Sequence, residues 1–458
     1  MREVMPREKP LVQKPEVRSR NFEEVVLGFT AEEAVREASR CILCKTPRCQ
    51  EKCPLHNQIP QWIQQVQLGH FEEADRIVRE TSPMPDICSR LCPQERLCEG
   101  ACVLGIKHES VAIGLLERFV ADHGAKGSEW DHWSEKDIRE LAAPPTQRIA
   151  AIGSGPASLA LAKVLAGVGY EITLFERSSQ AGGVLRWLPR FKMPGRLVDE
   201  YLVSLRQAGV VIRTRTEVKS AKALLDQGFH AVFIGIGASR PTKASLPGES
   251  LDGVVSSTEF LTHLTPLARK RVVVLGGGDT AMDCTRTAIR LGAREVTCLY
   301  RRDEANMPGS KKEVAAAKEE GVRFFYLSAP TQFLSRGRGA RLACVEYQRM
   351  ALGEPDASGR RSVTPVEGAR FTMNADVAVV AFGYDVENPL EEFSGRLKIN
   401  PATGATSMEG VFAGGDCAPH LMLVSSAANA GLAAAQGMIR YFAGEPWSSL
   451  APPEGSSI

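Results

Sequence analysis

The spacing of hydrophobic positions changes once along this chain, and the change divides it. Between residues 31 and 120 apolar side chains recur every three or four positions, and Ala31 to Arg40, Ile59 to Leu68, Phe71 to Thr81 and Val111 to Val120 each read as an amphipathic helix. Pro60 falls early in the second of these, where a missing N–H costs nothing. From residue 148 the pattern becomes short continuous apolar runs alternating with helical stretches, the signature of a parallel sheet covered on both faces. Ile149 to Ile152 feeds Gly153-Ser-Gly155-Pro156-Ala157-Ser158, then a helix, then a strand that closes on Glu176 and Arg177. The same unit returns at Arg271, with Gly276-x-Gly278-Asp279-Thr280-Ala281 as its turn and Tyr300-Arg301-Arg302 at the end of its second strand. Ala231 to Gly237, Ala375 to Gly383 and Val411 to Asp416 are further buried strands ending in glycines, and a small-residue helix runs from Ala427 to Phe442. The run at Ala375 reads as the return to the first unit.

The glycine turns give these strands a chemistry. Small residues at Gly153 and Gly155 let the backbone approach a pyrophosphate at the positive N-terminus of the next helix. Glu176, about twenty residues beyond the turn, suits the ribose hydroxyls of an adenine dinucleotide. In the second unit two arginines stand where that acid would be. Arg301 and Arg302 can hold a 2'-phosphate, which favours NADP over NAD; their bland alternative is solvated surface charge. The segment from Gly182 and Gly183 through Lys192 to Pro194 suits a loop along a flavin edge. Gly237 and Gly415 bring backbone close to a cofactor, and Asp416 can receive flavin ribityl hydroxyls, with a helix N-cap as its bland reading.

Composition narrows the setting. A chain of 458 residues with 43% hydrophobic content supports two or three domains with ample cores. A net charge of +2 implies neither a nucleic-acid nor a membrane surface, and no apolar run approaches eighteen residues. The charged, proline-spaced N-terminus lacks the apolar core of a secretory signal, so a cytoplasmic protein is expected. Its first twenty residues read as an extended arm, disordered or laid on a partner. Residues 126 to 147, with Trp130 and Trp133, read as a linker.

Eight of twelve cysteines fall between Cys41 and Cys102. They form Cys41-x2-Cys44-x4-Cys49-x3-Cys53 and Cys88-x3-Cys92-x5-Cys98-x3-Cys102. A reducing compartment does not keep such a set as disulfides, so metal ligation is the leading reading. Four thiolates within thirteen residues, ending in Cys53-Pro54, fit the run that wraps a 4Fe-4S cluster; structural zinc, which prefers two separated ligand pairs, is the alternative. Glu117 shares a helix face with Ile113, Leu116 and Val120 and needs a partner there, either an arginine or an iron. Cys284 and Cys298 do not form a C-x2-C pair, which argues against a disulfide reductase.

Taken together these motifs resemble one family, the small (beta) subunit of NADPH-dependent glutamate synthase, from about Phe22 to Phe442. The resemblance is carried by His56-Asn57-x-Ile-Pro-x-Trp62, the paired cysteine sets, Gly276 to Asp283, Arg301 to Ser310 and Gly353 to Arg361. It implies FAD in the first fold, NADPH in the second and two 4Fe-4S clusters in the helical cap. By similarity to related flavoproteins, Cys41, Cys44, Cys49 and Cys102 would hold one cluster and Cys53, Cys92, Cys98 and Glu117 the other, with Cys88 a bystander. The fold class implied is α/β, two nested Rossmann-like dinucleotide-binding domains behind an N-terminal all-α iron-sulfur domain. The expected division is 1–145 for cap and linker, 146–247 with 379–458 for FAD, and 248–378 for NADPH. The implied activity is hydride transfer from NADPH to FAD, then single electrons through the clusters to a large glutamate-forming subunit. The same module serving ferredoxin or another redox complex, and a zinc-bearing interaction protein, are the alternatives.

Overall fold

The computed structural model describes residues 5–124, 146–337, 339–355, 361–419 and 421–452. The linker expected at 126–147, with Trp130 and Trp133, lies almost wholly outside them.

The helical period is realised in α1 (Ala31–Ala38), α2 (Ile59–Gln67), α3 (Phe71–Arg79), α4 (Pro85–Leu91) and α5 (Ile113–His123). Thr30 and Glu33 close a capping box on α1, satisfying two amide donors that would otherwise be bare. The apolar faces of α1, α2, α3 and α5 meet around Trp62, Ile63, Leu116 and Phe119, while α4 packs against the first nucleotide fold. The arm expected to be disordered or laid on a partner instead lies on its own chain. Its strand β1 (Leu11–Val12) pairs antiparallel with β2 (Val26–Gly28). Arg7 reaches Glu99 and Ser110, and the buried Arg18 bridges Glu319 and Glu320.

Two five-stranded parallel sheets follow. The first contains β3 (Arg148–Ile152), β4 (Glu171–Phe175), β5 (Val211–Arg213) and β6 (Ala231–Ile234), with α6 (Pro156–Val168) crossing between β3 and β4. The second contains β7 (Val254–Ser256), β8 (Arg271–Leu275), β9 (Glu295–Leu299) and β10 (Arg323–Phe325), with α8 (Asp279–Arg290) in the place of α6; α7 (Arg196–Gln207) belongs to the first fold and α9 (Lys311–Glu319) to the second. An antiparallel meander of β11 (Ser328–Ser335), β12 (Leu342–Pro355) and β13 (Arg361–Asn374) is inserted next. Strand β14 (Val377–Val380) corrects the expected return: it pairs with β8 and β7, inside the second sheet, rather than opening the second half of the first. A continuous apolar run is compatible with the middle of either sheet, and its register partners decide which. The chain re-enters the first sheet at β15 (Val411–Ala413), beside β6, giving the order β15-β6-β3-β4-β5, and continues into α10 (Val424–Phe442), which packs against α6.

The cap is not a separate bead. Leu55, Met84, Ile87 and Cys88 belong to the same hydrophobic core as α6 and α10 of the first fold. It also grips the second fold: Arg96 donates to the Pro308 carbonyl at 2.9 Å, the Lys311 amide donates to Glu95 at 2.6 Å, and Lys312 to Gln94 at 2.9 Å. The stretch Arg301 to Ser310, which dinucleotide binding alone does not demand, thus ends in a loop held by the cap.

Candidate cofactor and electron-transfer sites

In the first fold, Gly153 takes a φ of +92°, and a Cβ there would lie 2.5 Å from the Gly235 carbonyl oxygen. Only glycine fits. Gly155 caps α6 with open space before it, Pro156 is the first helical residue, and no side chain caps the helix, so its leading amides are free for an anion. Gly183 crosses close over this turn, since a Cβ on it would meet the Gly155 Cα at 2.8 Å. Glu176 is buried and accepts from the Ser154 amide and hydroxyl and from the Ser178 amide. Ser154 Oγ also accepts from the Gly182 amide, so the carboxylate braces the turn and the loop together. Arg177 is exposed and donates to Ser239. Gly237, at φ +65°, ends β6 with nothing facing it. Gly415 packs against Ala157 and Ala427.

Asp416 is not a helix cap; α10 begins at Val424 with Leu423 before it. Among the described residues its buried Oδ1 has no partner, and burial pushes its pKa up to about 6, against the pull of Arg396. A carboxylate left in this condition fits a ligand bearing hydroxyl donors, as a flavin ribityl chain does. The loop residue Phe191 lies under the guanidinium of Arg290 at 3.8 Å, and Lys192 forms a buried ion pair with Asp283 at 3.0 Å, joining this loop to α8. Burial opposes the charge on Lys192, but Asp283, Glu313 and Asp279 outweigh it and hold the ammonium above its ordinary value.

The second fold repeats the geometry. Gly276 has φ +135°, and a Cβ would meet the Ala381 carbonyl at 2.3 Å; Gly278 caps α8 with no side-chain cap. Asp279 accepts from the Ser310 amide and lies 3.5 Å from Arg96, so it ties the turn to the loop and the cap, while Thr280 follows it in the first helical turn. The two arginines separate: Arg301 is exposed, whereas Arg302 is buried, donates through Nε to the Arg361 carbonyl and, among the described residues, leaves Nη1 without a partner. A buried guanidinium with an uncommitted N–H fits a phosphate better than a solvated surface charge does.

In the cap the eight cysteines and Glu117 resolve into two cavities. Cys41, Cys44, Cys49 and Cys102 line one, walled by Ile59, Ile63, Leu104 and Ile113. Cys53, Cys88, Cys92, Cys98 and Glu117 line the other, together with Ser425. Among the described residues no three such donors converge on a single ion. Two sets of thiols ringing separate spaces suit polynuclear groups that take one ligand per iron. Burial pushes the Cys41 thiol up to about 11 and Cys49 and Cys53 to about 12, so these thiols need a bound cation to ionise. Glu117 has no arginine: Arg90 and Arg118 are taken by Glu24 and Asp122, and no hydrogen bond or ion pair reaches Glu117 among the described residues. Burial, with Cys92 and Asp86 nearby, holds its carboxyl well above the usual range. Cys88, a bystander by resemblance, lies in the second cavity, where the neighbouring Cys92 and burial hold its thiol well above the ordinary range. Sequence reasoning missed Ser425, which carries no motif and lies more than three hundred residues from the cysteines it joins.

All twelve cysteines are free thiols, and Cys298 donates to the Gly276 carbonyl at 3.2 Å inside the second fold. Two dinucleotide folds joined to a cap with two thiol-lined cavities define an oxidoreductase architecture with room for iron-sulfur groups beside its nucleotide sites. Residues 148–431 match the family model described as pyridine nucleotide-disulphide oxidoreductase, and residues 18–129 match one described as dihydropyrimidine dehydrogenase domain II, 4Fe-4S cluster. The glutamate synthase [NADPH] small chain of Escherichia coli is 36% identical, over 96% of this chain and 97% of that one. The Escherichia coli oxidoreductase AegA is 41% identical, over 93% of this chain and 68% of its own length. Mycobacterium tuberculosis FprA in complex with NADPH superposes with a TM-score of 0.55 at 16% identity, over 68% of this chain and 87% of that one, and shares the fold. The chain belongs to the pyridine nucleotide-disulphide oxidoreductase family, in the group that includes the small chains of NADPH-dependent glutamate synthase. It is an NADPH-dependent flavin and iron-sulfur oxidoreductase. Among the described residues no helix is long and apolar enough to cross a membrane.

Proposed function

We propose that this chain is the electron-input subunit of a glutamate synthase, working in the cytoplasm with a large subunit that forms two L-glutamate from L-glutamine and 2-oxoglutarate. The observation that carries this reading is the second thiol-lined cavity, built jointly by cap cysteines and by Ser425 of α10 in the flavin fold. The cap and the flavin fold therefore share the wall of this cavity.

The residues have distinct tasks. The bare N-termini of α6 and α8 bind the pyrophosphates of FAD and NADPH; Arg302 takes the 2'-phosphate through Nη1, with Arg301 on the exposed side; Asp416 anchors the flavin chain. Phe191 and Lys192, fixed to α8, keep the flavin loop against the nicotinamide fold. When bound, FAD accepts the hydride and releases its electrons one at a time to the 4Fe-4S clusters. No side chain need act as a base. Cys41, Cys44, Cys49 and Cys102 would hold one cluster, and Cys53, Cys92, Cys98 and Glu117 the other. The chain divides into a cap with linker (1–145), a flavin fold (146–247 and everything after Val380) and a nicotinamide fold (248–380). The last boundary moves from 378 because β14 pairs with β8 and β7.

Anaerobic protein mixed with the large subunit should oxidise NADPH only when glutamine and 2-oxoglutarate are both present. NADPH oxidation that ignores both substrates while reducing a ferredoxin would reject the glutamate synthase assembly. That second reading, the same module with another acceptor, is favoured by the relationship to AegA, of which this chain spans about two thirds.

A further inference from the structure

The second cavity holds few polar groups apart from its cysteines and Glu117, and most of them are already engaged. Asn57 donates to the Val78 carbonyl and accepts from the Trp62 indole. Gln94 donates to the Ser89 carbonyl and accepts from Lys312. Ser425 differs. It is 1% exposed, lines the cavity together with Cys92, and its buried hydroxyl has no hydrogen-bond partner among the described residues. It is the second residue of α10, a helix of 19 residues whose N-terminus has no side-chain cap. Cys92 lines the same cavity, and Cys92 and the adjoining Val424 pack against the same core. The first cavity has nothing comparable: beyond its four cysteines and Arg48 its wall is apolar.

We propose that Ser425 is a positioning residue for electron transfer, donating its hydroxyl hydrogen bond to the Cys92 sulfur once that sulfur is an iron ligand and so raising the reduction potential of that cluster. The proposal rests on the reading of Cys92 as an iron ligand given above. The physical reason is charge. Reduction adds one electron to a cluster buried among thiolates, and a donor aimed at a ligand sulfur, backed by the positive end of α10, stabilises the more negative state. Because α10 belongs to the flavin fold, the donor also exists only when cap and flavin fold are docked. The cluster beside the flavin fold thus receives electrons readily, and only in the assembled molecule.

The test is a potentiometric titration, followed by electron paramagnetic resonance, of anaerobically purified full-length protein carrying its flavin and iron, compared with Ser425→Ala and Ser425→Thr. We expect Ser425→Ala to move one cluster signal to more negative potential, by about tenfold in the reduced-to-oxidised ratio at fixed potential, or ~59 mV for one electron. The other cluster and the flavin should hold their potentials, and Ser425→Thr, which keeps the hydroxyl, should restore the shifted signal. Wild-type potentials in Ser425→Ala with iron content intact overturn the proposal and leave the functional reading standing. Both signals moving together also overturn it, since that reports a loosened cap. Wild-type protein without iron overturns both.

Discussion

Arg302 illustrates what a single buried polar atom can decide. Its neighbour Arg301 is in solvent, but Arg302 is buried, fixed through Nε to the Arg361 carbonyl and, among the described residues, left with Nη1 unpaired. Arg302→Ala should therefore raise KM for NADPH at least tenfold, the ~1.5–3 kcal/mol of a charge-assisted contact. KM for NADH should barely move, and steady-state kinetics with both cofactors reads the difference. Asp416 makes a prediction in pH. Burial raises its pKa in the folded chain from an ordinary value near 4 to about 6, so between these values the folded apoprotein binds more protons than the unfolded chain. Its contribution to stability is complete below about pH 4 and is lost as pH rises through about 6. Thermal melts of flavin-free protein across that window should show wild type falling relative to Asp416→Asn as pH rises. Parallel curves would mean that Asp416 is not held in its neutral form.

At the scale of elements, the flavin site depends on how closely α10 approaches α6. A Cβ on Gly431 would lie 2.1 Å from the Ala157 carbonyl oxygen, and Ala157 is in the first turn after Gly155. The contact between these two helices thus shapes the anion-binding turn. Gly431→Leu should prise them apart, costing about 1–3 kcal/mol. Flavin content after purification should drop with it, measured by absorbance alongside chemical denaturation. Retention of both would show that α10 can shift without disturbing the turn. The N-terminus of α10, ahead of Gly431, reaches the cap, so one helix serves both the flavin turn and the second cavity.

Over the whole molecule, an ionic cluster fastens three units. Arg18 of the N-terminal arm, Arg286 and Arg290 of α8 converge on Glu320, while Phe191 of the flavin loop lies against both α8 arginines. Arg18→Ala removes the arm's share but leaves Glu320 two partners. We expect a loss of about 1–3 kcal/mol in denaturant unfolding, less than the roughly 3–5 kcal/mol of a buried charge left alone. Limited proteolysis should cut the arm of the variant faster than that of wild type. An unchanged cleavage rate would mean that β1 and Arg7 hold the arm without Arg18.

What the chain alone determined is whatever depends on local period and local spacing. The helical cap, both glycine turns with their positive-φ positions, and the cysteine sets all follow from residues close in sequence, because helices, turns and thiolate loops are closed by near neighbours. Tertiary structure decided what depends on partners far apart. β14 is apolar from end to end and its sheet is chosen by β8 and β7; the arm is charged throughout and its resting place is set by Glu99, Glu319 and Glu320. Glu117 could have met an arginine until Glu24 and Asp122 took them. Ser425 became part of the second cavity only because the cap and the flavin fold share one core, and a shared core is a property of packed surfaces that no short stretch of sequence contains.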